Sequence, residues 1–218
     1  MNTQPTEHKH FQTGHIHLFD LYKYIAEHPK FVSGKDGDMG DYTKLVNEVV
    51  ASIPNKAGWY NWGRINDVGF WETIYLGKSG NKKTSSLQAR IREELLDERP
   101  GLWATIYGVE PTERQFQKVF KNKYGRQTRS YRKKNIHYIV WVSADPISEQ
   151  EIKDEEHTLI ALYRPAINIQ RVSYPSHTPH TEAILRAFDA EIETVSSPRV
   201  KSSTLHLPNT KDEIIITV

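Results

Sequence analysis

The chain has 218 residues, of which 37% are hydrophobic and 26% charged, with a formal net charge of +2; these values are typical of a globular protein with one domain and extensions, or at most two small domains. No apolar run reaches the roughly 20 residues of a membrane-spanning helix, and the polar first ten residues lack the apolar segment of a secretory signal, so we expect a cytoplasmic protein without a membrane partner. Because cysteine is absent, disulfides, zinc–cysteine modules and thiol catalysis are excluded.

The first 50 residues predict two helices. Apolar side chains recur at helical spacing in residues 17–25 and 42–53, and residues 33–38 between them have the composition of a loop. We interpret residues 1–52 as a helical N-terminal extension.

A β-hairpin and a helix are expected next. Two aromatic-rich segments, residues 57–62 and 70–76, flank the turn-forming residues 66–69, which favours two antiparallel strands joined by a long loop. The following helix is expected to begin at a capping residue among 84–86 and to stop before Pro100.

The charge is concentrated in one block of the sequence. Nine lysines and arginines, and no Asp or Glu, lie between Arg114 and Lys134. A basic block with interleaved aromatic residues favours a polyanion partner, while the alternative is a solvated loop. Residues 113–124, at its start, have the periodicity of a helix.

The next two elements have clear boundaries. Residues 136–142 are a run typical of a strand. Ser148 followed by Glu151 forms a capping-box pattern, which begins a helix that we expect to end at Arg164 because Pro165 follows.

The sequence after residue 171 is rich in Ser, Thr, Pro and His. We expect a short helix over residues 181–195. The apolar residues 213–218 could form a strand at a sheet edge or a subunit contact.

One carboxylate occupies an unusual position in the predicted helix. Glu156 shares the apolar face of Ile152 and Leu159, whereas Asp154 and Glu155 point elsewhere. Burying an unpaired carboxylate is costly, so a paired cation or a metal ion is expected beside Glu156. The alternative is an ordinary salt-bridged carboxylate.

Two further patterns carry less information individually. Arg90 lies on the apolar face of its helix with Glu94 four residues later, which could be a simple surface ion pair. Tyr60 and Tyr75 lie on facing strands of the hairpin, where paired tyrosines usually serve packing.

In order and spacing, four motifs together resemble the GIY-YIG nuclease family over about residues 57–170. These motifs are Gly58-Trp59-Tyr60, Tyr75-Leu76-Gly77-Lys78, Leu87-Gln88-Ala89-Arg90, and Glu156 with Pro165 and Asn168. Trp59 and Leu76 replace the usual isoleucine or valine, the segment between the tyrosines is several residues longer, and Glu94 stands where many relatives have His or Tyr.

The resemblance implies an α+β fold, an α/β sandwich with a small three-stranded antiparallel sheet flanked by helices. The catalytic domain would span residues 53–171, with a basic insertion at about 97–134. Residues 1–52 and 172–218 would be terminal extensions.

The resemblance also implies the roles of five residues. Glu156 would hold one Mg²⁺ or Mn²⁺ per active site, and Tyr60 and Tyr75 would lie beside the attacking water. Lys78 would lower the pKa of one tyrosine or contact phosphate. Arg90 would contact the scissile phosphate as a permanently charged donor.

The expected function is therefore metal-dependent cleavage of double-stranded DNA, leaving 5′-phosphate and 3′-hydroxyl ends. Asn168 would anchor the end of its helix or touch substrate. Contacts to DNA phosphates are expected from a basic group within the insertion, namely Arg126, Arg129, Arg132, Lys133 and Lys134.

A compact chain without a zinc module most resembles the type II restriction endonucleases of this family. Cutting both strands needs two active sites or two encounters, so we expect a homo-oligomer built through the terminal extensions. The alternatives are a phage-type DNA-degrading enzyme and a catalytically inactive nucleic-acid-binding module. A weaker alternative is a metal site formed by the N-terminal histidines His8, His10, His15 and His17.

Overall fold

A four-stranded antiparallel sheet forms the centre of the protein. The computed structural model describes residues 10–27, 39–66, 68–80, 83–96, 137–165, 168, 178 and 180–197. In chain order the strands are β1 (His10–His17), β2 (Gly58–Ile65), β3 (Trp71–Ser79) and β4 (His137–Asp145). Their spatial order is β1-β4-β2-β3, so β1 and β3 form the two edges.

Helices cover both faces of this sheet. Three helices pack on one face: α1 (Phe19–Glu27), α2 (Met39–Val50) and α3 (Leu87–Leu96). Two pack on the other face: α4 (Glu149–Tyr163) and α5 (Thr181–Ser196). The expected α+β class is confirmed.

The expectation of three strands is wrong, because the N-terminal segment supplies a fourth. β1 pairs with β4 along its whole length, from His10 opposite Asp145 to His17 opposite Tyr138. Within β1 only Ile16 is a buried apolar residue, so the segment lacks the apolar alternation that marks a strand. Its strand conformation depends on backbone pairing with a distant partner, and α1 begins only at Phe19.

The two N-terminal helices form part of the core. Leu18, Leu21, Tyr42 and Val46 are at most 1% exposed and belong to the same apolar cluster as the β2 side chains. The Tyr42 hydroxyl donates a 2.9 Å hydrogen bond to the carbonyl of Leu95, which ties α2 to α3. These helices therefore bury their apolar faces within their own chain and share one core with the sheet.

The predicted hairpin is confirmed as β2 and β3. At its turn the Asn66 side chain accepts hydrogen bonds from the amides of Val68 and Phe70, and Gly69 has a φ of 85°. The pairing then shifts, because Trp62 faces Tyr75 while Gly63 faces Thr73. One β3 residue is left without a partner, which is a β-bulge, and bulges re-aim the side chains beside them.

Local capping sets the ends of the helix that carries Glu156, as expected. Ser148 and Glu151 form the capping box at the start of α4. Arg164 adopts a left-handed conformation with φ of 47°, and its amide donates to the carbonyl of Ile160 at 3.0 Å. Similarly, the Ser86 hydroxyl accepts from the amide of Ala89 at the start of α3.

The C-terminal segment also contributes to the core. α5 is present close to its predicted position, and its Ile184 and Phe188 are fully buried. Among the described residues no helix is long and apolar enough to cross a membrane. The predicted helix at 113–124, the basic block from Arg114 to Lys134 and the predicted strand at 213–218 lie outside the described residues.

Candidate active site

The two tyrosines lie diagonally across the hairpin. Tyr60 pairs with Gly77 and Tyr75 with Trp62, so both rings are on the face covered by α3, with centroids 6.0 Å apart. A Cβ on residue 77 would lie 2.8 Å from Cε1 of Tyr60 and closer still to its hydroxyl end. Glycine at position 77 is therefore required for the Tyr60 ring to lie flat on β3.

A partly buried network joins Tyr60 to α3 through Glu94. The Tyr60 hydroxyl donates to Oε1 of Glu94 at 3.2 Å, and the same oxygen accepts from Nη2 of Arg90 at 2.6 Å. Nη1 of Arg90 donates to Glu93 at 2.7 Å. The expected Arg90–Glu94 pair exists, but the Glu94 side chain is only 12% exposed. It is therefore part of the site, which its position in the sequence did not reveal.

Burial raises the pKa of both tyrosines. Burial has the largest effect on Tyr60, and the neighbouring Tyr75 and Glu94 raise its pKa further. Burial likewise raises the pKa of Tyr75, whose ring packs against that of Tyr60. Arg90 opposes both shifts without overcoming them. Both hydroxyls are therefore protonated at neutral pH, which favours a proton-relay role over a preformed phenolate.

Glu156 is a second carboxylate of the site. It is 6% exposed, and in the described part of the chain it forms neither a hydrogen bond nor an ion pair. Burial raises the pKa of this carboxyl, while the charges of Lys78, Arg90 and Lys153 lower it. The charges of three cations thus act on a largely buried carboxylate, while the paired cation or metal ion expected beside Glu156 stays a prediction. Lys153 is a member of this group that the sequence interpretation missed.

Trp59 holds the Glu156 helix against the sheet. Its side chain is fully buried, and its Nε1 donates to the carbonyl of Ile152 at 2.9 Å. This bond fixes α4 on β2 one turn before Glu156. Tryptophan at position 59 therefore supplies a specific anchor, because an isoleucine or valine side chain has no hydrogen-bond donor.

Glu155 is buried as well, contrary to the expectation that it points away from the core. It is 1% exposed and accepts hydrogen bonds from the hydroxyls of Thr178 and, at 2.9 Å, Thr181. These threonines lie at the start of α5, which covers this side of α4. Glu155 therefore joins the two helices, whereas Glu156 faces the site.

Asn168 binds the edge strand of the sheet. Its Nδ2 donates to the carbonyl of Leu76 at 2.8 Å, and its Oδ1 accepts from the amide of Leu76 at 2.9 Å. The side chain thus pairs with β3 as a neighbouring strand would, directly beside Tyr75. This contact is with the sheet, while the roles expected of Asn168, at the end of the helix or with substrate, stay predictions.

The donors of the site fit a single Mg²⁺ or Mn²⁺ held by Glu156. Among the described residues no group of three or more His, Asp or Glu could hold a metal ion. A hard divalent cation can nevertheless bind through one carboxylate, with waters and substrate phosphate completing its shell. Of the N-terminal histidines, His15 contacts Glu191 at 2.6 Å, and His8 lies outside the described residues.

The basic insertion expected to bind DNA also lies outside the described residues. It contains the predicted DNA-contacting group Arg126, Arg129, Arg132, Lys133 and Lys134.

Comparison with protein-family models, curated proteins and solved structures finds no match to this chain. The inference of function therefore depends on the geometry of the site and on the motif resemblance.

Proposed function

We propose that this protein is a metal-dependent endonuclease that hydrolyses phosphodiester bonds in DNA, with a GIY-YIG-type active site. The observation that carries the proposal is the buried carboxylate of Glu156, which feels the charges of Lys78, Arg90 and Lys153 and itself acts on the pKa of Tyr75. Hydrolysis of a phosphodiester needs an activated water, positive charge on the non-bridging oxygens and stabilisation of the leaving oxygen. The described residues offer groups suited to each requirement.

Positive charge would come from Arg90 and Lys78. Arg90 is held by Glu93 and Glu94, and its planar guanidinium is suited to donating two hydrogen bonds to a phosphate. Lys78 is partly buried and its charge acts on Glu156. Two roles were expected of Lys78: lowering the pKa of a tyrosine, or contacting phosphate. Because Arg90 is the cation that lowers the pKa of both tyrosines, the phosphate contact is the favoured role of Lys78.

The attacking water would lose its proton through a chain of hydrogen bonds. Tyr75 is the more exposed tyrosine, its ring packs with its centroid 6.0 Å from that of Tyr60, and the Tyr60 hydroxyl donates to Glu94. When Tyr75 accepts the proton of the water, it passes its own to Tyr60, and Tyr60 passes its own to Glu94. Each tyrosine then stays neutral overall, as their raised pKa values require.

A divalent cation at Glu156 would act as a Lewis acid on the phosphate and the leaving oxygen. Burial desolvates the Glu156 carboxylate, and the charges of three cations favour its ionised form.

The finer proposal is a sequence-specific type II restriction endonuclease acting on double-stranded DNA and leaving 5′-phosphate ends. Since one active site cuts one strand, two copies or two encounters would complete the cut.

The test is nicking of a supercoiled plasmid by the wild-type protein with Mg²⁺, Mn²⁺ or EDTA. We expect cleavage only with a metal ion, and none by Glu156→Gln. Asp154→Asn removes a nearby carboxylate of α4 that bonds only to Gln150 among the described residues, and it should cut normally. Metal-independent cutting, or normal cutting by Glu156→Gln, would refute the metal-ligand role. DNA binding without any cutting would favour the inactive binding module.

The same variant also has an expected effect on stability. Because the folded-state pKa of Glu156 is raised by burial, ionisation of this carboxyl costs folding free energy once the pH exceeds its unfolded-state pKa. A neutral Gln avoids that cost, so Glu156→Gln without metal should melt at or above the wild-type temperature at pH 7. A lower melting temperature would mean that loss of cutting reflects unfolding.

The pattern of plasmid cleavage by the wild-type protein distinguishes the two nuclease classes. Discrete plasmid fragments would favour a restriction enzyme, and a smear would favour the phage-type alternative.

A further inference from the structure

A cavity of about 390 Å³ lies between the end of β3, the turn before α3 and the first turns of α4. Its wall includes Lys78, Ser85, Glu149 and Lys153. Lys78 also contributes to the charge around Glu156, so the cavity adjoins the candidate active site. The motif resemblance assigns no role to Lys153 or to this cavity.

The two lysines in the cavity wall are available for a ligand. Within the described part of the chain, neither Lys78 nor Lys153 forms a hydrogen bond or an ion pair, and Lys153 is exposed to solvent. The acidic group in the wall is Glu149, at the exposed start of α4. Two unpaired ammonium groups against one carboxylate leave a cavity that suits a single negative charge.

Helix geometry places Lys153 close to the reacting phosphate. Lys153 precedes Glu156 by three residues, so the two side chains share one side of α4 and lie about 4.5 Å apart along its axis. The charge of Lys153 reaches the Glu156 carboxylate. A DNA strand has a phosphate at each nucleotide, so a strand cut at Glu156 must place the adjacent phosphate beside the site.

We propose that this cavity is a subsite for the DNA phosphate next to the scissile one, with Lys153 as its main cationic contact. The inference rests on the proposed nuclease function. Lys153 would act as a point charge on the phosphate oxygens, as an ammonium group does. The subsite sets the position of the strand, so that the scissile phosphate reaches Arg90 and Glu156.

The test measures binding of a short DNA duplex in EDTA, by fluorescence anisotropy, as a function of KCl concentration. In a plot of the logarithm of the binding constant against the logarithm of the salt concentration, Lys153→Gln should have a slope about 0.9 less steep than that of the wild type, because one phosphate contact is lost. Over a fourfold rise in salt, the variant should therefore lose about 3.5-fold less affinity than the wild type. Lys153→Arg should keep the wild-type slope. Lys23→Gln removes an exposed lysine of α1 on the opposite face of the sheet and is the control.

A second measurement locates the contact on the DNA. Once the cut site has been mapped, each neighbouring phosphate is replaced in turn by an uncharged methylphosphonate. Replacing the adjacent phosphate should weaken binding by the wild type and have no further effect on Lys153→Gln. An unchanged slope in Lys153→Gln, or equal sensitivity of both proteins to every replacement, would overturn the subsite. A wild-type protein that neither binds nor cuts DNA would overturn the nuclease proposal itself.

Discussion

The contact between Gly77 and Tyr60 allows a sharp test of how the site is built. In Gly77→Ala, the new methyl group would lie 2.8 Å from Cε1 of Tyr60, whereas ordinary contacts begin at 3.4 Å. Cζ and the hydroxyl oxygen of Tyr60 would be closer still, so the ring must move by more than about 0.6 Å. Tyr60 is fully buried, so neighbouring side chains must move as well.

The displacement should lower both stability and activity. Overpacking a buried site costs about 1–3 kcal/mol, which for a protein of this size lowers the melting temperature by about 2–12 °C. Catalytic groups need to be placed within about 0.5 Å, and a 1 Å error can cost about a hundredfold in rate. We therefore expect Gly77→Ala to fold but to nick plasmid about 10- to 100-fold more slowly.

Two further variants separate the local effect on Tyr60 from general destabilisation. Gly63→Ala also overpacks β2, because its methyl group would meet the Trp71 ring and the Glu72 carbonyl, but it should lose stability with little change in rate. Gly77→Ala combined with Tyr60→Phe should be no slower than Tyr60→Phe alone, because the displaced hydroxyl is already absent. Folded Gly77→Ala that nicks plasmid at the wild-type rate would refute the reasoning.

Two other predictions concern Glu94 and the basic segment of the sequence. Glu94→Gln removes the carboxylate that accepts a hydrogen bond from Tyr60 and should slow nicking by about a hundredfold or more. Glu93→Gln, on the exposed side of Arg90, is the control and should nick at the wild-type rate. Equal nicking rates for the two variants would exclude the relay. Neutralising Arg129, Arg132 and Lys133 together should flatten the salt dependence of DNA binding by up to about 0.9 in log–log slope per lost phosphate contact, and an unchanged slope would identify the basic segment as a solvated loop.

Elements whose conformation is encoded by adjacent residues were predictable from the sequence. The hairpin turn depends on Asn66 and Gly69, and α4 begins at a capping box and ends at a left-handed residue before Pro165. Each of these signals acts over about four residues. The position of Glu156 on a buried helix face was predictable for the same reason, because helical periodicity is local.

Features that depend on distant partners were decided only by the tertiary structure. β1 is a strand because β4 lies beside it, although its own residues lack a strand pattern. Glu155 is buried because α5 covers it, and periodicity along α4 carries no information about α5. Long-range contacts of this kind join segments far apart in sequence, so no window of neighbouring residues records them.

In the candidate site, too, some features could be predicted from local sequence and others depend on contacts between distant segments. Tyr60, Tyr75 and Glu156 could be recognised from motif spacing, because each lies at a fixed position within its own element. The hydrogen bond from the Tyr60 hydroxyl to Glu94 joins residues 34 positions apart in the chain, and it forms only because α3 packs on β2. Likewise, Lys153 and Lys78 line one cavity because α4 crosses the end of β3. Charges from separate elements interact more strongly where packing brings them together and excludes water, which is a property of the folded chain.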